Sequence, residues 1–242
     1  MAVRSLLEAI NHTLDQQMEK DSSIVVFGED VGHLGGVFRT TAGLQAKYGT
    51  QRVFDTPIAE AAIMGSAIGM AINGLKPIPE IQFSGFMFPG YNQIVTHMAR
   101  YRNRSRGRYH LPIVVRMPYG GGVKALEHHS ESLEVLFASI PGLKLVIPAT
   151  PYDAKGLMKS ALSGTDPVIF FESQRIYDVG EMFHIEGVPE GYYEVPIGEP
   201  DIKKEGKDIT ILTVGATLYR ALDAAKILEE KYGISAEIID AR

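Results

Sequence analysis

The strongest constraint on this chain is a regular alternation, between residues 3 and 173, of short apolar runs with stretches of helical period. "SIVVFGEDV" (23–31), "RVFDTP", "KPIPEIQF", "LPIVVRMPYG", "LKLVIPA" and "DPVIFFES" read as strands bounded by Gly, Pro and Asp. "LPIVVRMPYG" is nearly continuous in apolar character, which is expected of a strand covered on both faces. Residues 3–19 place Val3, Leu6, Leu7, Ile10, Leu14 and Met18 on one stripe, the pattern of an amphipathic helix. Further helices are predicted in "GLQAKYG", from Ile58 to Asn73-Gly74, in "YNQIVTHMARYRNRS", in "SLEVLFASIPG" and in "PYDAKGLMKSALSG", the last with Pro at its start. Strands and helices in this order predict a doubly wound, mainly parallel α/β sheet over residues 1–175. Residues 176–207 are rich in Gly, Pro and charge and read as a linker. Residues 208–242 hold one βαβ unit, the beginning of a second α/β domain.

Composition removes several classes of function. A formal net charge of −5 argues against general nucleic-acid binding. The absence of cysteine excludes disulfides and thiolate metal sites. No apolar run approaches the roughly 20 charge-free residues of a membrane span, and the first residues lack the apolar core of a signal peptide. A soluble, cytoplasmic protein is expected. Zinc spacing, a Walker A loop, a GxSxG elbow and a complete GxGxxG–helix unit are all missing from the sequence.

Four stretches carry chemistry. In "TPIAEAAIMGSAIGMAING" (56–74) one carboxylate, Glu60, precedes a run of small and apolar residues. It is either an acid favoured by a helix N-terminus or a buried carboxylate kept for proton exchange with a ligand. Ala59, Ala61, Ala62, Gly65, Ser66 and Gly69 would let a flat ring or a second backbone come close. His128 and His129 follow the glycine loop Gly120-Gly121-Gly122, as solvated loop residues or as proton donors in a cleft, with Ser130 and Glu134 resembling a helix start. Gln82, Phe83, Phe86 and Phe88 follow a strand, where an aromatic either packs in the core or stacks on a heterocycle at the strand's carboxyl end. Arginines at 100, 102, 104, 106 and 108 recur at a spacing of two, which makes no single helical face. They read as solvated or interface charges, with phosphate binding as the second reading.

"VFGEDVG", "GGVFRTTAGLQAKYG", "RVFDTPIAEAAIMGSAIGMAINGLKPIPEIQF", "HHSES", "PGLKLVIPATPYDAKGLMKSAL" and "DPVIFFES" occur in one order along the chain. In that order and spacing they resemble the beta chain of the thiamine-diphosphate-dependent component of 2-oxo acid dehydrogenase complexes, whose members act on pyruvate, branched-chain 2-oxo acids or acetoin. The resemblance runs from residue 3 to residue 242. It implies that Glu60 hydrogen-bonds the aminopyrimidine ring of thiamine diphosphate, that Gln82 and Phe86, with Ile58, line and stack on that ring, and that His129 faces the 2-oxo acid. His128 stands where the family varies. The resemblance also implies a potassium ion held by carbonyls near Ile113, Ala161, Leu162, Gly164 and Asp166, although this chain has "SGTD" where several relatives have "RDND".

The family's Mg²⁺ and diphosphate ligands lie in a GDG motif with a downstream Asn, and this chain has no GDG. The resemblance therefore implies that an alpha subunit supplies Mg²⁺ and phosphate ligands in an alpha-two beta-two heterotetramer docked on a dihydrolipoyl acyltransferase core. It also implies a C-terminal domain continuing past the position of Arg242. The expected reaction is oxidative decarboxylation of a 2-oxo acid with acyl transfer to lipoyl groups. The alternatives are another split thiamine enzyme, acetoin-cleaving or transketolase-like, and a non-catalytic interaction module.

Overall fold

A computed structural model describes residues 4–242 of the chain, so Val3, placed above on the first helical stripe, lies outside the described residues. Helix α1 (Leu6–Lys20) opens on a capping box, in which the Glu8 amide donates to Ser5 Oγ at 3.2 Å and the Ser5 amide to Glu8 Oε2 at 2.8 Å. It buries Leu6, Ile10, Leu14 and Met18, four members of the predicted stripe. There follow β1 (Ile24–Gly28), α2 (Leu44–Tyr48), β2 (Val53–Asp55), α3 (Glu60–Ile72), β3 (Lys76–Glu80), α4 (Tyr101–Arg104), β4 (Val114–Tyr119), α5 (Glu134–Ala138), β5 (Lys144–Val146), α6 (Pro151–Ser163) and β6 (Val168–Ser173).

The six strands pair in parallel in the order β2-β1-β3-β4-β6-β5, the doubly wound sheet that the alternation predicts. One face packs Ile24, Val26, Ile78 and Phe170 against α1 and α6. The other packs Val25, Phe27, Val115 and Phe171 against α3 and the helical segments that follow β3. β1, β4 and β6 are buried along their whole length, which is why they read as apolar runs without alternation.

Two expectations need correction. The single helix predicted over "YNQIVTHMARYRNRS" is instead a π-helical turn (Gln93–Met98) and the short α4, and a 3-10 segment (Ser84–Gly90) precedes them. Pro89 has no amide proton to give and Gly90 sits where a side chain would press on α3, so the chain enters this stretch from a 3-10 segment packed on α3. The stretch read as a linker contains a strand, β7 (Asp201–Lys204). It pairs antiparallel with β9 (Ala236–Asp240), which pairs in parallel with β8 (Ile209–Thr213), and α7 (Thr217–Tyr232) connects those two. A four-residue edge strand among Gly, Pro and charge leaves little periodicity to read.

The sheet has a thin seam. β3 and β4 share a single registered pair, Glu80 with Arg116, whereas β4 and β6 share six. At that same pair the side chains form a buried ion cluster. The Arg116 guanidinium, with no exposed surface, donates from Nε and Nη2 to both oxygens of Glu172 at 2.7 and 2.8 Å and from Nη1 to Glu80. Tyr177 Oη donates to Glu172 Oε2 at 2.7 Å. Burial pushes the Glu80 carboxyl above its ordinary range, against the pull of Arg116. Arg116→Met would leave two buried carboxylates without a counter-ion and is expected to cost about 3–5 kcal/mol in urea unfolding. Glu80→Gln keeps an acceptor and removes one charge, so it should cost clearly less; equal losses from the two variants would contradict this balance.

Candidate active site

Strand order reverses between β1 and β3, because the chain leaves β1 for β2 on one side and returns through α3 to β3 on the other. In open α/β sheets the crevice outside the carboxyl ends at such a reversal is where ligands bind. Glu29 and Asp30 follow β1 there, and Gln82 follows β3. Gln82 Nε2 spans the crevice, donating to Asp30 Oδ2 at 3.0 Å and to the Glu29 carbonyl at 3.4 Å.

Glu60 is the first residue of α3, which enters from the end of β2. Ala59, at the cap, offers no side-chain hydrogen bond, so the first-turn acid is Glu60 itself, where the helix dipole favours a negative charge. The residue is 9% exposed. Among the described residues, no side-chain hydrogen bond ends on its carboxylate. Burial, then Glu60, then Asp30 raise the proton affinity of Glu29, so Glu29 and Glu60 form a pair of neighbouring buried carboxyl groups. α3 turns Ile63, Met64, Ala67 and Ile68 to the core and leaves Ala61, Ala62 and Ser66 exposed, so its outward face is small and flat.

The 3-10 segment Ser84–Gly90 seats residues from both sides of the crevice. At its start a β-carbon on Gly85 would overlap the His128 carbonyl; at its end one on Gly90 would lie 3.0 Å from the Glu60 carbonyl. Only glycine allows backbones to approach this closely. Ser84 Oγ donates to the Glu131 carbonyl at 2.9 Å. His129 is thereby held edge-on to Phe83 and Phe86, with ring centroids 4.5 and 5.0 Å away. Its Nδ1 lies 3.0 Å from the Glu127 carbonyl, an acceptor only, so Nδ1 carries the proton there and Nε2 is left as the acceptor nitrogen of the neutral ring. Gln174, at the end of β6, donates to the His129 carbonyl at 3.3 Å.

Glu60, Gln82, Phe86 and His129 thus gather at one edge of the sheet. Ile58 stands on the same edge but is 84% exposed, a rim position. His128 is exposed, with a left-handed backbone at φ 70°. Ser130 does not cap a helix: α5 begins at Glu134 behind Leu133, with no side-chain cap, because the intervening loop is bonded to the 84–90 segment instead. The residues named for potassium lie around the opposite, amino-terminal ends of β4 and β6. There the Ile113 and Ala161 carbonyls accept the amides of Val168 and Gly164 at 2.9 and 3.3 Å. Against the penalty of burial, Arg102 and then Lys144 hold the Asp166 carboxyl below its usual range. Glu29, Gln174 and Arg116 went unnoticed in the sequence. "FGED" at a strand end before a glycine was the one signal that could have singled out Glu29.

Residues 3–179 match the transketolase pyrimidine binding domain and residues 198–242 the transketolase C-terminal domain. The whole chain is 62% identical to the pyruvate dehydrogenase E1 component subunit beta of Acholeplasma laidlawii, of which it covers 72%. It is 51% identical to the 2-oxoisovalerate dehydrogenase subunit beta of Bacillus subtilis, again covering 72% of that chain. Among solved structures it superposes on a split gene transketolase, an inactive beta4 tetramer, with a TM-score of 0.77 and 25% identity over 98% of this chain and 70% of that one. A Pichia stipitis transketolase at 17% identity shares the fold with a TM-score of 0.72, covering 100% of this chain and 35% of that one. The crevice, the two matched domains and these relatives converge: the chain belongs to the family of 2-oxo acid dehydrogenase E1 component beta subunits, built on the thiamine-dependent transketolase fold.

Proposed function

We propose that this chain is the beta subunit of a pyruvate dehydrogenase E1 component, which decarboxylates pyruvate oxidatively and passes the acyl group to lipoyl groups of a dihydrolipoyl acyltransferase core. Identity of 62% to a pyruvate relative against 51% to a 2-oxoisovalerate relative favours pyruvate over branched-chain substrates. The observation that carries the reading is the convergence of Glu60, Gln82, Phe86 and His129 on the 84–90 segment beside the β1/β3 reversal.

Thiamine diphosphate, when bound, supplies the electron sink for decarboxylation. The residues present suit its pyrimidine end. Glu60 offers a buried carboxylate without an internal partner, able to hold a proton at a ring nitrogen. Half-buried Phe86 offers an aromatic face, and Gln82 adds a polar edge fixed by Asp30. The Nε2 of His129 is free to exchange a proton with the 2-oxo acid or its product.

Mg²⁺ and the diphosphate fall to an alpha subunit in an alpha-two beta-two assembly, since the chain has no GDG motif. Large apolar side chains exposed on the same edge, Leu34, Val37, Ile58, Phe88 and Leu126, support a partner chain closing over the crevice. Potassium at the carbonyls of Ile113, Ala161, Leu162 and Asp166 is part of the proposal and would use second lone pairs of those oxygens. The cytoplasm is the proposed location.

With the alpha subunit co-expressed, Glu60→Gln is expected to lower pyruvate turnover by at least ~10²-fold, the scale of a lost proton relay; retained turnover would remove Glu60 from that role. His129→Ala should lower kcat by a similar order, with cofactor affinity nearly unchanged. Assays with pyruvate, branched-chain 2-oxo acids, acetoin and sugar phosphates separate the family members. A carboxyl whose folded pKa lies above its ordinary 4.5 destabilises the fold increasingly as pH rises through that interval, because the folded state there binds more protons. Glu29→Gln should therefore raise stability relative to the parent chain above pH 4.5 and leave it unchanged at lower pH, as read by thermal unfolding across pH.

A further inference from the structure

The arginine run at 100–108 is not used by the crevice, and the fold gives it a defined place. It lies near the amino-terminal ends of β4, β5 and β6, the edge opposite Glu60 and His129. There a cavity of about 480 Å³ opens, within the roughly 300–1,000 Å³ typical of small-molecule sites. Its floor is apolar: half-buried Leu143 lines it beside Pro167, Met98 and Leu111, which are buried beneath. Its rim carries Arg102, Arg106 and Lys144 against one carboxylate, Asp166. Asp166 is shared by Arg102 and by Lys144 at 3.3 Å, and no ion pair of the described residues ends on Arg106. A second open cavity of about 700 Å³ adjoins it through Ala99, Asn103 and Gly142 and adds Arg100 and Arg104. On a chain whose net charge is −5, this is a concentration of positive charge over a greasy, concave floor.

We propose that this cavity binds the nucleoside diphosphate group of a soluble ligand, with the ring against half-buried Leu143 at the floor and the phosphates between Arg106, Arg102 and Lys144. A flat ring excludes water from an apolar floor, and guanidinium groups suit phosphate oxygens through paired N–H donors. Inorganic phosphates alone would leave the floor wet. An acidic protein surface would meet the rim and leave the concavity unfilled. A free nucleotide and the ADP portion of coenzyme A share this chemistry.

Calorimetric titration of the alpha–beta holoenzyme with ADP, with coenzyme A and with inorganic pyrophosphate tests the site. Saturable binding of ADP, coenzyme A or both is expected, and the tighter of the two identifies the source. Binding should weaken as salt rises, and pyrophosphate should bind clearly less well. The single variant Arg106→Ser and the double variant Arg106→Ser/Lys144→Ser should lose at least about tenfold in affinity, the worth of one good charged contact. Arg108→Ser, outside both cavities, should bind as the parent does. Thermal unfolding confirms that each variant is folded. Absence of saturable binding by both nucleotides would overturn the proposal. So would pyrophosphate binding as tightly as ADP, unchanged affinity in Arg106→Ser, or an equal loss in Arg108→Ser, which would show a diffuse basic surface.

Discussion

One buried guanidinium joins the two halves of the large sheet. Strands β2, β1 and β3 form one half and β4, β6 and β5 the other, and they meet through a single registered pair, Glu80 with Arg116. Backbone hydrogen bonds alone would make this a weak seam. The Arg116 side chain reinforces it by bonding Glu80 on one side and both oxygens of Glu172 on the other, with Tyr177 closing the cluster. Buried ion pairs are costly to assemble and costlier to break, so such a cluster acts mainly to fix one geometry.

That geometry matters because the crevice residues are divided across the seam. Glu29, Glu60, Gln82 and Phe86 come from the half that contains β1, β2 and β3; His129 comes from the loop after β4 and Gln174 from the end of β6. The 84–90 segment bridges them, with Gly85 against the His128 backbone and Gly90 against the Glu60 carbonyl. A shift of one half against the other would separate the carboxylate from the imidazole without altering either residue. Burial, and then the neighbouring Glu60, raise the proton affinity of Glu29 at the same place, so this shift is a property of the assembled crevice.

Much of this was legible in the sequence because it depends on local pattern. Continuous apolar strands separated by helices specify the parallel sheet, and the helix predicted after Ile58 does begin at Glu60. Glu60 was marked as the lone carboxylate before a small, apolar run, Gln82 and Phe86 by a strand end and His129 by a glycine loop, while their union in one site came from the resemblance to the family. Arg116 was not, since one arginine inside "PIVVRMPYG" gives no sign of which distant carboxylates will meet it. The π-helical turn in the helix predicted from Tyr91 also escaped, because apolar spacing over a few residues does not distinguish it from a regular α-helical turn. β7 was hidden by its brevity: four residues at a sheet edge, held by β9, carry almost no period of their own.

The central claim is that this chain carries the pyrimidine half of a cofactor site that a second chain completes. Titrating thiamine diphosphate with Mg²⁺ into the beta chain alone, the alpha chain alone and the mixture tests it most directly. Tight, saturable binding only in the mixture is the expected result. Equal affinity in the isolated beta chain, or no binding in a mixture whose assembly is verified, would contradict a shared site.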